Sequence, residues 1–186
     1  MDIGVPFRDL GPVDMTALAE KTLAQEPAAW LEHELRQRKY DVHHDTHSIV
    51  LVFCDGRWPD PNVTREPGWA RLADVAQPLM DSIIAAHYLP GGTIIRAMAA
   101  RLEVGGTIKP HTDAQESFVR THRIHIPLTS NSGVRFTVDG RPCPMKPGRV
   151  YEINNQKTHS VMNRGKEPRI SFIFDYFPPP AARREG

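Results

Sequence analysis

The chain has 186 residues and a net charge of +1, so it can bury the core of one domain, and its charge favours neither nucleic acid nor an acidic membrane as a partner. No apolar run is long enough to cross a membrane, and the first residues lack a secretory signal pattern. Cys54 and Cys143 are too few for a disulfide framework, so we expect free thiols and a cytoplasmic location. No feature indicates an oligomeric state.

The beginning of the chain is predicted to be helical. Asp14 is well placed to cap a helix whose apolar face extends to Leu23. Pro27 ends or restarts that helix, because proline lacks the backbone N–H that a helix interior needs. The apolar stripe then continues to Arg38, which predicts a helical layer ahead of the first strand.

One buried strand, one loop and one long helix are predicted next. The strand covers residues 47–53, and the helix covers residues 69–88, where apolar side chains recur at helical spacing. Residues 54–68 are rich in Pro, Asp and Gly, which is typical of a long loop and sometimes of a lid. Trp58 and Trp69 border this loop and could either close over a substrate or anchor the loop to the core.

From residue 92 onward the pattern changes to short strands separated by turn residues. The candidate strands cover residues 93–104, 122–128, 134–138, 149–153, 159–163 and 169–176. This spacing predicts a mainly β fold, a double-stranded β-helix (jelly roll) with the N-terminal helices packed on one sheet. We expect one domain over residues 1–186, with a helical layer at 1–90, a jelly-roll core at 91–177 and a tail at 178–186.

A candidate metal site lies in the second half of the chain. His111 and Asp113 are two residues apart and therefore point to the same side of an extended strand, and His159 lies on a later strand. Two imidazoles and one carboxylate can occupy one face of a ferrous ion and leave the other face open for a co-substrate and dioxygen. The His-Thr-Asp motif alone would equally fit a surface turn, so the interpretation depends on further residues.

Arg169 is the most specific of these further residues. It begins an apolar strand and shares one face of it with Ser171 and Ile173. A guanidinium on a core strand needs a partner, because an unpaired buried charge is costly. That partner is either an internal Asp or Glu, or the carboxylate of a ligand. With the metal motif, the second option indicates an Fe(II)- and 2-oxoglutarate-dependent oxygenase.

Several other polar residues have two interpretations each. The three histidines within residues 43–47 could form a second metal site, but solvated side chains are the simpler expectation. Arg123 and His125 share one face of their strand and are pocket residues if that face lines the interior of the barrel. His122 lies out of phase with them, so we expect a structural role on the opposite face.

The motifs of the second half resemble those of one oxygenase family. They are His111-Thr112-Asp113, the segment Arg-Ile-His-Ile-Pro-Leu at 123–128, Asn154-Asn155 ahead of His159, Asn163-Arg164-Gly165, and Arg-Ile-Ser-Phe-Ile-Phe-Asp at 169–175. In these motifs the chain is similar to the aspartyl/asparaginyl β-hydroxylase family of Fe(II)/2-oxoglutarate-dependent oxygenases, and also to bacterial proline cis-hydroxylases. The resemblance is good over residues 96–177.

The resemblance implies a set of cofactors and the residues that hold them. The enzyme would use Fe(II), 2-oxoglutarate and dioxygen, with His111, Asp113 and His159 as the iron ligands. Arg169, helped by Ser171, would hold the distal carboxylate of 2-oxoglutarate. Because Asp113 is present, the complete triad is expected, and halogenation, which needs a small residue at that position, is not.

Four further polar residues are candidates for the pocket. The resemblance implies that His125 lines the co-substrate pocket and that Arg123 lies near co-substrate or substrate. Arg96 is another candidate for a substrate or co-substrate carboxylate, and would otherwise form a surface salt bridge. Asn155 lies close to His159 in the sequence and could contact substrate, or could equally cap a turn.

The predicted reaction is the hydroxylation of an amino acid, free or as a residue in a peptide, with release of succinate and CO2. The amino-acid substrate is implied by the resemblance alone. The alternative is a cupin-like metal- or ligand-binding protein, or an isomerase, without oxygenase activity. A cupin site usually employs three His and one Glu, and does not need Arg169 with Ser171. A zinc hydrolase would need a general base near the metal, and none stands out.

Overall fold

The computed structural model describes residues 1–32, 46–55, 58 and 61–179. The described helices are α1 (Thr16–Leu23), α2 (Pro27–Leu31), α3 (Pro67–His87) and α4 (Glu116–Val119). The described strands are β1 (Phe7–Pro12), β2 (Thr46–Cys54), β3 (Val63–Arg65), β4 (Thr93–Leu102), β5 (Thr107–His111), β6 (His122–Pro127), β7 (Val134–Val138), β8 (Arg141–Pro142), β9 (Arg149–Ile153), β10 (His159–Asn163) and β11 (Arg169–Phe177). None of these helices is long and apolar enough to cross a membrane.

The strands form two antiparallel sheets. The large sheet has the order β1-β9-β6-β11-β4-β2-β3, and the small sheet has the order β5-β10-β7-β8. From β4 to β7, and again from β9 to β11, successive strands alternate between the two sheets. This topology confirms the predicted mainly β, jelly-roll type of fold. The strands predicted at 134–138, 149–153 and 159–163 have the predicted bounds.

Helices α1, α2 and α3 cover the outer face of the large sheet, whereas Phe118 of α4 lines the cavity on the inner side. Every second residue of β11 from Ile170 to Tyr176 points to this face and joins one apolar core with α3 side chains such as Leu72. Gly68, in the first turn of α3, lets this helix approach β2 closely, because a Cβ there would lie 2.8 Å from Ile49 Cγ2. The predicted packing of helices on one sheet is therefore confirmed.

Two strands of the first part of the chain were not predicted. β1 pairs with β9 at one edge of the large sheet, and β3 pairs with β2 at the other edge. Since β3 lies within residues 54–68, part of the predicted loop is in fact an edge strand. The layer predicted as helical at 1–90 thus also contributes three strands to the large sheet.

The helices near the N-terminus begin close to the predicted positions. The backbone N–H of Thr16, at the start of α1, donates a 3.0 Å hydrogen bond to Asp14 Oδ1. α1 ends at Leu23, and Pro27 starts a separate helix, α2. The predicted apolar stripe begins with Trp30 and Leu31 in α2. Its continuation at residues 33–38, like the histidines at 43 and 44, lies outside the described residues.

A second apolar cluster lies between the two sheets. Phe136 and Val161 of the small sheet meet Ile153 of the large sheet there, and Cys143 belongs to the same cluster. Both Cys143 and Cys54 are buried free thiols, as expected. Beside this cluster the inner faces of the sheets enclose a cavity of about 370 Å³.

Candidate active site

His111, Asp113 and His159 meet at the end of the small sheet. β5 ends at His111 and β10 begins at His159, and these two residues are direct partners in the antiparallel ladder. Their imidazole centroids are 4.3 Å apart. Asp113 Oδ1 and Oδ2 lie 4.0 Å from Nε2 of His111 and of His159, respectively. In the part of the chain that the structure describes, this is the only cluster of three groups able to hold a metal ion.

Backbone carbonyls orient both imidazoles. His111 Nδ1 lies 2.8 Å from the carbonyl oxygen of Lys109, and His159 Nδ1 lies 3.0 Å from that of Lys157. Because a carbonyl oxygen can only accept, each neutral ring carries its hydrogen on Nδ1 and presents the lone pair of Nε2 on the side of Asp113. Burial lowers the pKa of His159, which favours the neutral imidazole that binds a metal.

Asp113 is held through both its backbone and its side chain. Its backbone N–H donates to the carbonyl of Asn155, and its own carbonyl accepts from Gln156 Nε2, each at 3.0 Å. Its Oδ2 accepts a 2.7 Å hydrogen bond from Arg123 Nη1. Arg123 also forms a two-pronged ion pair with Asp175, at 2.8 and 2.9 Å. Arg123 thus connects the carboxylate of the metal cluster to the large sheet.

Arg169 lines the cavity and has no counter-ion among the residues that the structure describes. It is 4% exposed, and no carboxylate among the described residues forms an ion pair with it. Its Nη2 points to the sulfur of Met145 at 3.7 Å, which is a weak acceptor, and its guanidinium lies 5.5 Å from the Phe136 ring centre. Burial lowers the pKa of Arg169 to about 10, so the side chain remains charged at neutral pH. The alternative of an internal salt bridge is therefore wrong for the described residues.

Two more polar side chains beside Arg169 are without partners. Both ring nitrogens of His125 and the hydroxyl of Ser171 are buried and, among the described residues, make no hydrogen bond. Ser171 shares the inner face of β11 with Arg169 and stands opposite Ala100 of β4, so small side chains flank the guanidinium. Because buried polar groups in native proteins are normally paired, such a group of unpaired donors indicates where a ligand binds.

The cavity connects the metal cluster to Arg169, to His125 and to a part with aromatic walls, whereas Ser171 is not among its lining residues. Its lining includes seven of the nine predicted site residues, namely His111, Asp113, Arg123, His125, His159, Arg169 and Arg96. Arg96 is 4% exposed and lies 3.5 Å from Asp175, so the alternative of a surface salt bridge is wrong. Phe53 and Phe118 form the walls near Arg96.

Asn155 is not brought into the cavity. Its Nδ2 donates to the carbonyl of Phe118, and its Oδ1 accepts from the amino group of Met1 and from Gln156 Nε2. Asn155 is fully buried. Because both ends of the Asn155 amide bind groups of the protein itself, this side chain supports the segment that carries Asp113.

The remaining candidates lie outside the cavity lining. Trp58 packs edge-on against Phe177, and the ring of Trp69 lies under the guanidinium of Arg65. The anchoring alternative fits both tryptophans in this structure. His122 lies 2.5 Å from a carboxylate oxygen of the buried Glu152, which agrees with the structural role expected for it.

Asp175 is the main residue of this region that the sequence interpretation missed. It lies on the inner face of β11 in alternation with Arg169 and Ser171, and it is fully buried. Burial alone would raise the pKa of Asp175, but the Arg123 and Arg96 guanidinium groups outweigh it and lower that pKa. The same alternation that identified Ser171 could have identified Asp175. The sequence has no comparable pattern that would have identified Phe118 as a residue of the cavity.

The residues present fit an Fe(II) ion and 2-oxoglutarate. Two imidazoles and one carboxylate are the donor set of non-haem Fe(II) oxygenases. The unpaired Arg169, with Ser171 and His125 beside it, fits a small dicarboxylate in the same cavity.

Solved structures with the same fold include several oxygenases. A 2OG-Fe(II) oxygenase-family oxidoreductase from Burkholderia pseudomallei is 18% identical, with a TM-score of 0.55 over 89% of this chain and 90% of that chain. A prolyl hydroxylase from Trichoplax adhaerens, in complex with a hypoxia inducible factor peptide fragment, is 14% identical, with a TM-score of 0.57 over 92% and 83%. A nickel complex of a non-haem monooxygenase is also 14% identical, with a TM-score of 0.59 over 94% and 74%. At such low sequence identities, these structural similarities are evidence for the fold alone.

Sequence comparison is more specific about the family. No curated protein sequence matches this one. Residues 20–179, which include the metal cluster and Arg169, match the family model of aspartyl/asparaginyl β-hydroxylase. The chain therefore belongs to the aspartyl/asparaginyl β-hydroxylase family and is a 2-oxoglutarate-dependent non-haem iron dioxygenase.

Proposed function

We propose that this enzyme hydroxylates an amino acid, free or as a residue in a peptide, with release of succinate and CO2. The observation that carries the proposal is the buried, unpaired Arg169 in the same cavity as His111, Asp113 and His159. Fe(II) and 2-oxoglutarate, when bound, would allow dioxygen to act as the oxidant, with one oxygen atom entering a C–H bond of the substrate and the other entering succinate as CO2 is released.

The chain's own residues bind and orient these groups. His111, Asp113 and His159 would hold the iron beside the cavity. The guanidinium of Arg169 would bind the distal carboxylate of 2-oxoglutarate, and the neighbouring Ser171 hydroxyl is a further donor for it. A co-substrate bound in this way would be held at its distal end.

His125 contributes to the co-substrate pocket as a neutral side chain. Burial, reinforced by the charge of Arg169 and that of Arg123, holds the pKa of His125 well below its usual range. A neutral imidazole donates one hydrogen bond without adding another positive charge to the pocket. The single charge of Arg169 then remains the main attraction for a carboxylate.

The outer part of the cavity suits a substrate with a carboxylate and an apolar portion. Once Asp113 neutralises part of the metal's charge, the two guanidinium groups of Arg96 and Arg123 pair with one other carboxylate among the described residues, that of Asp175. The remaining positive charge favours an anionic group such as the carboxylate of an amino acid. Phe53 and Phe118 offer apolar walls for its side chain. The peptide held by the prolyl hydroxylase relative keeps a peptidyl substrate in consideration.

We also propose that the N-terminal layer and the jelly-roll core act as one oxygenase domain. β1 and β2 of the N-terminal part extend the sheet that carries Arg169 on β11. Separating these parts would leave that sheet without three of its seven strands.

The test is the formation of succinate from 2-oxoglutarate by protein loaded anaerobically with Fe(II). Free amino acids and short peptides are screened as stimulants, and product masses are measured for the gain of one oxygen atom. His159→Ala should abolish the stimulated turnover, whereas His87→Ala, an exposed histidine on α3, should retain it. If no amino acid or peptide stimulates turnover while other small acids do, the proposed substrate class is wrong.

A further inference from the structure

Three charged side chains lie side by side across the inner face of the large sheet. Asp175 of β11 is the ladder partner of Arg123 on β6 and of Arg96 on β4. Asp175 is fully buried, so its negative charge depends on these two guanidinium groups. Arg123 supplies the closer contact, with two hydrogen bonds at 2.8 and 2.9 Å, against 3.5 Å for Arg96.

The same guanidinium reaches the carboxylate of the metal cluster. While Nε and Nη2 of Arg123 bind Asp175, its Nη1 donates to Asp113 Oδ2 at 2.7 Å. Burial alone would lower the pKa of Arg123, but the charges of Asp113 and Asp175 raise it, so the guanidinium keeps its positive charge. No other side-chain hydrogen bond to Asp113 Oδ2 is found among the described residues.

The position of Arg123 is tightly restricted. The ring of Phe118 lies 4.5 Å from the Arg123 guanidinium and 4.2 Å from that of Arg96. The Arg96 side chain is itself tied to Ser117 by a 2.9 Å hydrogen bond. The two hydrogen bonds to Asp175 and the adjacent ring of Phe118 leave the Arg123 side chain little freedom. Its third hydrogen bond, to Asp113 Oδ2, therefore fixes the orientation of the Asp113 carboxylate.

We propose that Arg123 and Asp175 form a positioning pair: Asp175 holds Arg123, and Arg123 holds Oδ2 of Asp113, so that this carboxylate is presented to the metal in one orientation. The inference rests on the proposed metal site. It gives Arg123 a role that differs from the substrate or co-substrate contact implied by its sequence motif. Partners that orient a metal ligand commonly contribute about ten- to hundredfold to metal affinity.

The sign of the effect separates this role from a simple charge effect. A cation repels a divalent metal ion, so removing any nearby guanidinium should tighten metal binding if charge alone matters. If Arg123 orients Asp113, removing it should weaken metal binding instead. Arg96 is the matched control, because it shares Asp175 and lines the same cavity but does not contact Asp113.

The experiment measures Co(II) affinity and the visible absorption spectrum of the Co(II)-loaded full chain. We expect Arg123→Met to weaken Co(II) binding about ten- to hundredfold and to change the spectrum. Asp175→Asn should weaken binding in the same direction, because it loosens Arg123 without touching the metal cluster. Arg123→Lys should recover part of the affinity, and Arg96→Met should bind at or above the wild-type affinity.

Two results would overturn the positioning role: wild-type or tighter binding by Arg123→Met, or equal weakening by Arg96→Met. Should Arg123→Met fail to fold, as judged by circular dichroism, Arg123→Lys decides the matter, because it keeps the positive charge: charge alone predicts wild-type Co(II) affinity, whereas the positioning role predicts weaker binding and a changed spectrum. His159→Ala tests the metal site itself. If that variant bound Co(II) as tightly as the wild type, the site would be wrong, whereas loss of binding there with unchanged binding in Arg123→Met would reject only the positioning pair.

Discussion

At the scale of single residues, Arg169 shows how a buried charge can be kept for a ligand. Its surroundings offer the sulfur of Met145 and the ring of Phe136, and no carboxylate within the described residues. An isolated buried charge lowers the stability of the folded chain, unlike the paired charges of Arg123 and Asp175. The guanidinium therefore retains its donors for the carboxylate that we assign to 2-oxoglutarate.

Replacing Arg169 should affect ligand binding and stability in opposite directions. Arg169→Met removes two charge-assisted hydrogen bonds, each worth about 1.5–3 kcal/mol, so the KM for 2-oxoglutarate should rise roughly a hundredfold or more. Without 2-oxoglutarate, the melting temperature should stay the same or rise, because an unpaired buried charge has been removed. Steady-state kinetics and thermal unfolding measure the two effects.

Arg149→Met is the control for this prediction, because Arg149 pairs with Asp9 on the exposed edge of the large sheet. Its KM for 2-oxoglutarate should match the wild type. A normal KM in Arg169→Met would show that the distal carboxylate is held elsewhere.

At the scale of elements, Asn163 ties three connections together at the end of β10. Its Oδ1 accepts from Asn131 Nδ2 at 3.2 Å and from the Gly165 N–H at 3.1 Å. Its Nδ2 donates to the carbonyl of Glu167 at 2.8 Å and to that of Glu103, after β4, at 3.3 Å. The turns after β4, β6 and β10 are thereby fixed to one another by one fully buried side chain.

Removing this side chain should destabilise the whole connection. Asn163→Ala leaves several buried donors and acceptors without partners, at about 1–3 kcal/mol for each, so the free energy of unfolding should fall by about 3 kcal/mol or more. Urea denaturation measures the loss. Asn62→Ala, at an exposed asparagine, should change stability by less than about 0.5 kcal/mol. Equal effects of the two substitutions would mean that the Asn163 contacts do not contribute to stability.

The correctly predicted elements are those whose amino-acid composition alone favours the observed secondary structure. Residues 134–138 and 149–153 are dominated by β-formers between turn residues, and they form β7 and β9. β1 (Phe7–Pro12) contains Gly and Pro, and β5 (Thr107–His111) contains Lys and Pro. These two segments are strands because they pair with β9 and β10. Since these partners lie far away along the chain, the pairing leaves no pattern in the local sequence.

At the scale of the whole molecule, the stability of the fold should depend on pH through a histidine of the cavity. Burial holds the pKa of His125 well below its usual value, and the charges of Arg169 and Arg123 act in the same direction. The unfolded chain takes up a proton at this side chain below about pH 6.5, whereas the folded chain does not. The contribution of His125 to stability is therefore complete above that pH and is lost as the pH falls.

His125→Gln should flatten this pH dependence. Between about pH 6.5 and pH 5, the slope of the unfolding free energy against pH should decrease by up to about 1.4 kcal/mol per pH unit in the variant. Urea unfolding of the metal-free protein at several pH values gives both slopes. The exposed His87→Gln should keep the wild-type slope. An unchanged slope in His125→Gln would mean that His125 is protonated in the folded state.

The sequence predicted which residues form the site better than it predicted the contacts among them. Short motifs identified the metal cluster and Arg169, because their spacing reflects strand periodicity and the chemistry of the donors. The engagement of Arg123 by Asp175 depends on the register of β6 against β11, and these residues lie far apart in the sequence. The internal use of the Asn155 amide likewise depends on Met1 and Phe118, which are distant from it along the chain.

Alternate residues of β11 face the core under the helices and the cavity, so substitutions on the two faces of this strand have different consequences. Phe172 and Phe174 belong to the core under the helices, whereas Ile173 lines the cavity opposite Met98 of β4. A substitution at Ile173 or Met98 would reshape the cavity while the helical layer kept its support. One strand thus has a face that supports the fold and a face that shapes the cavity, so single mutations on the second face can change substrate preference without loss of the fold.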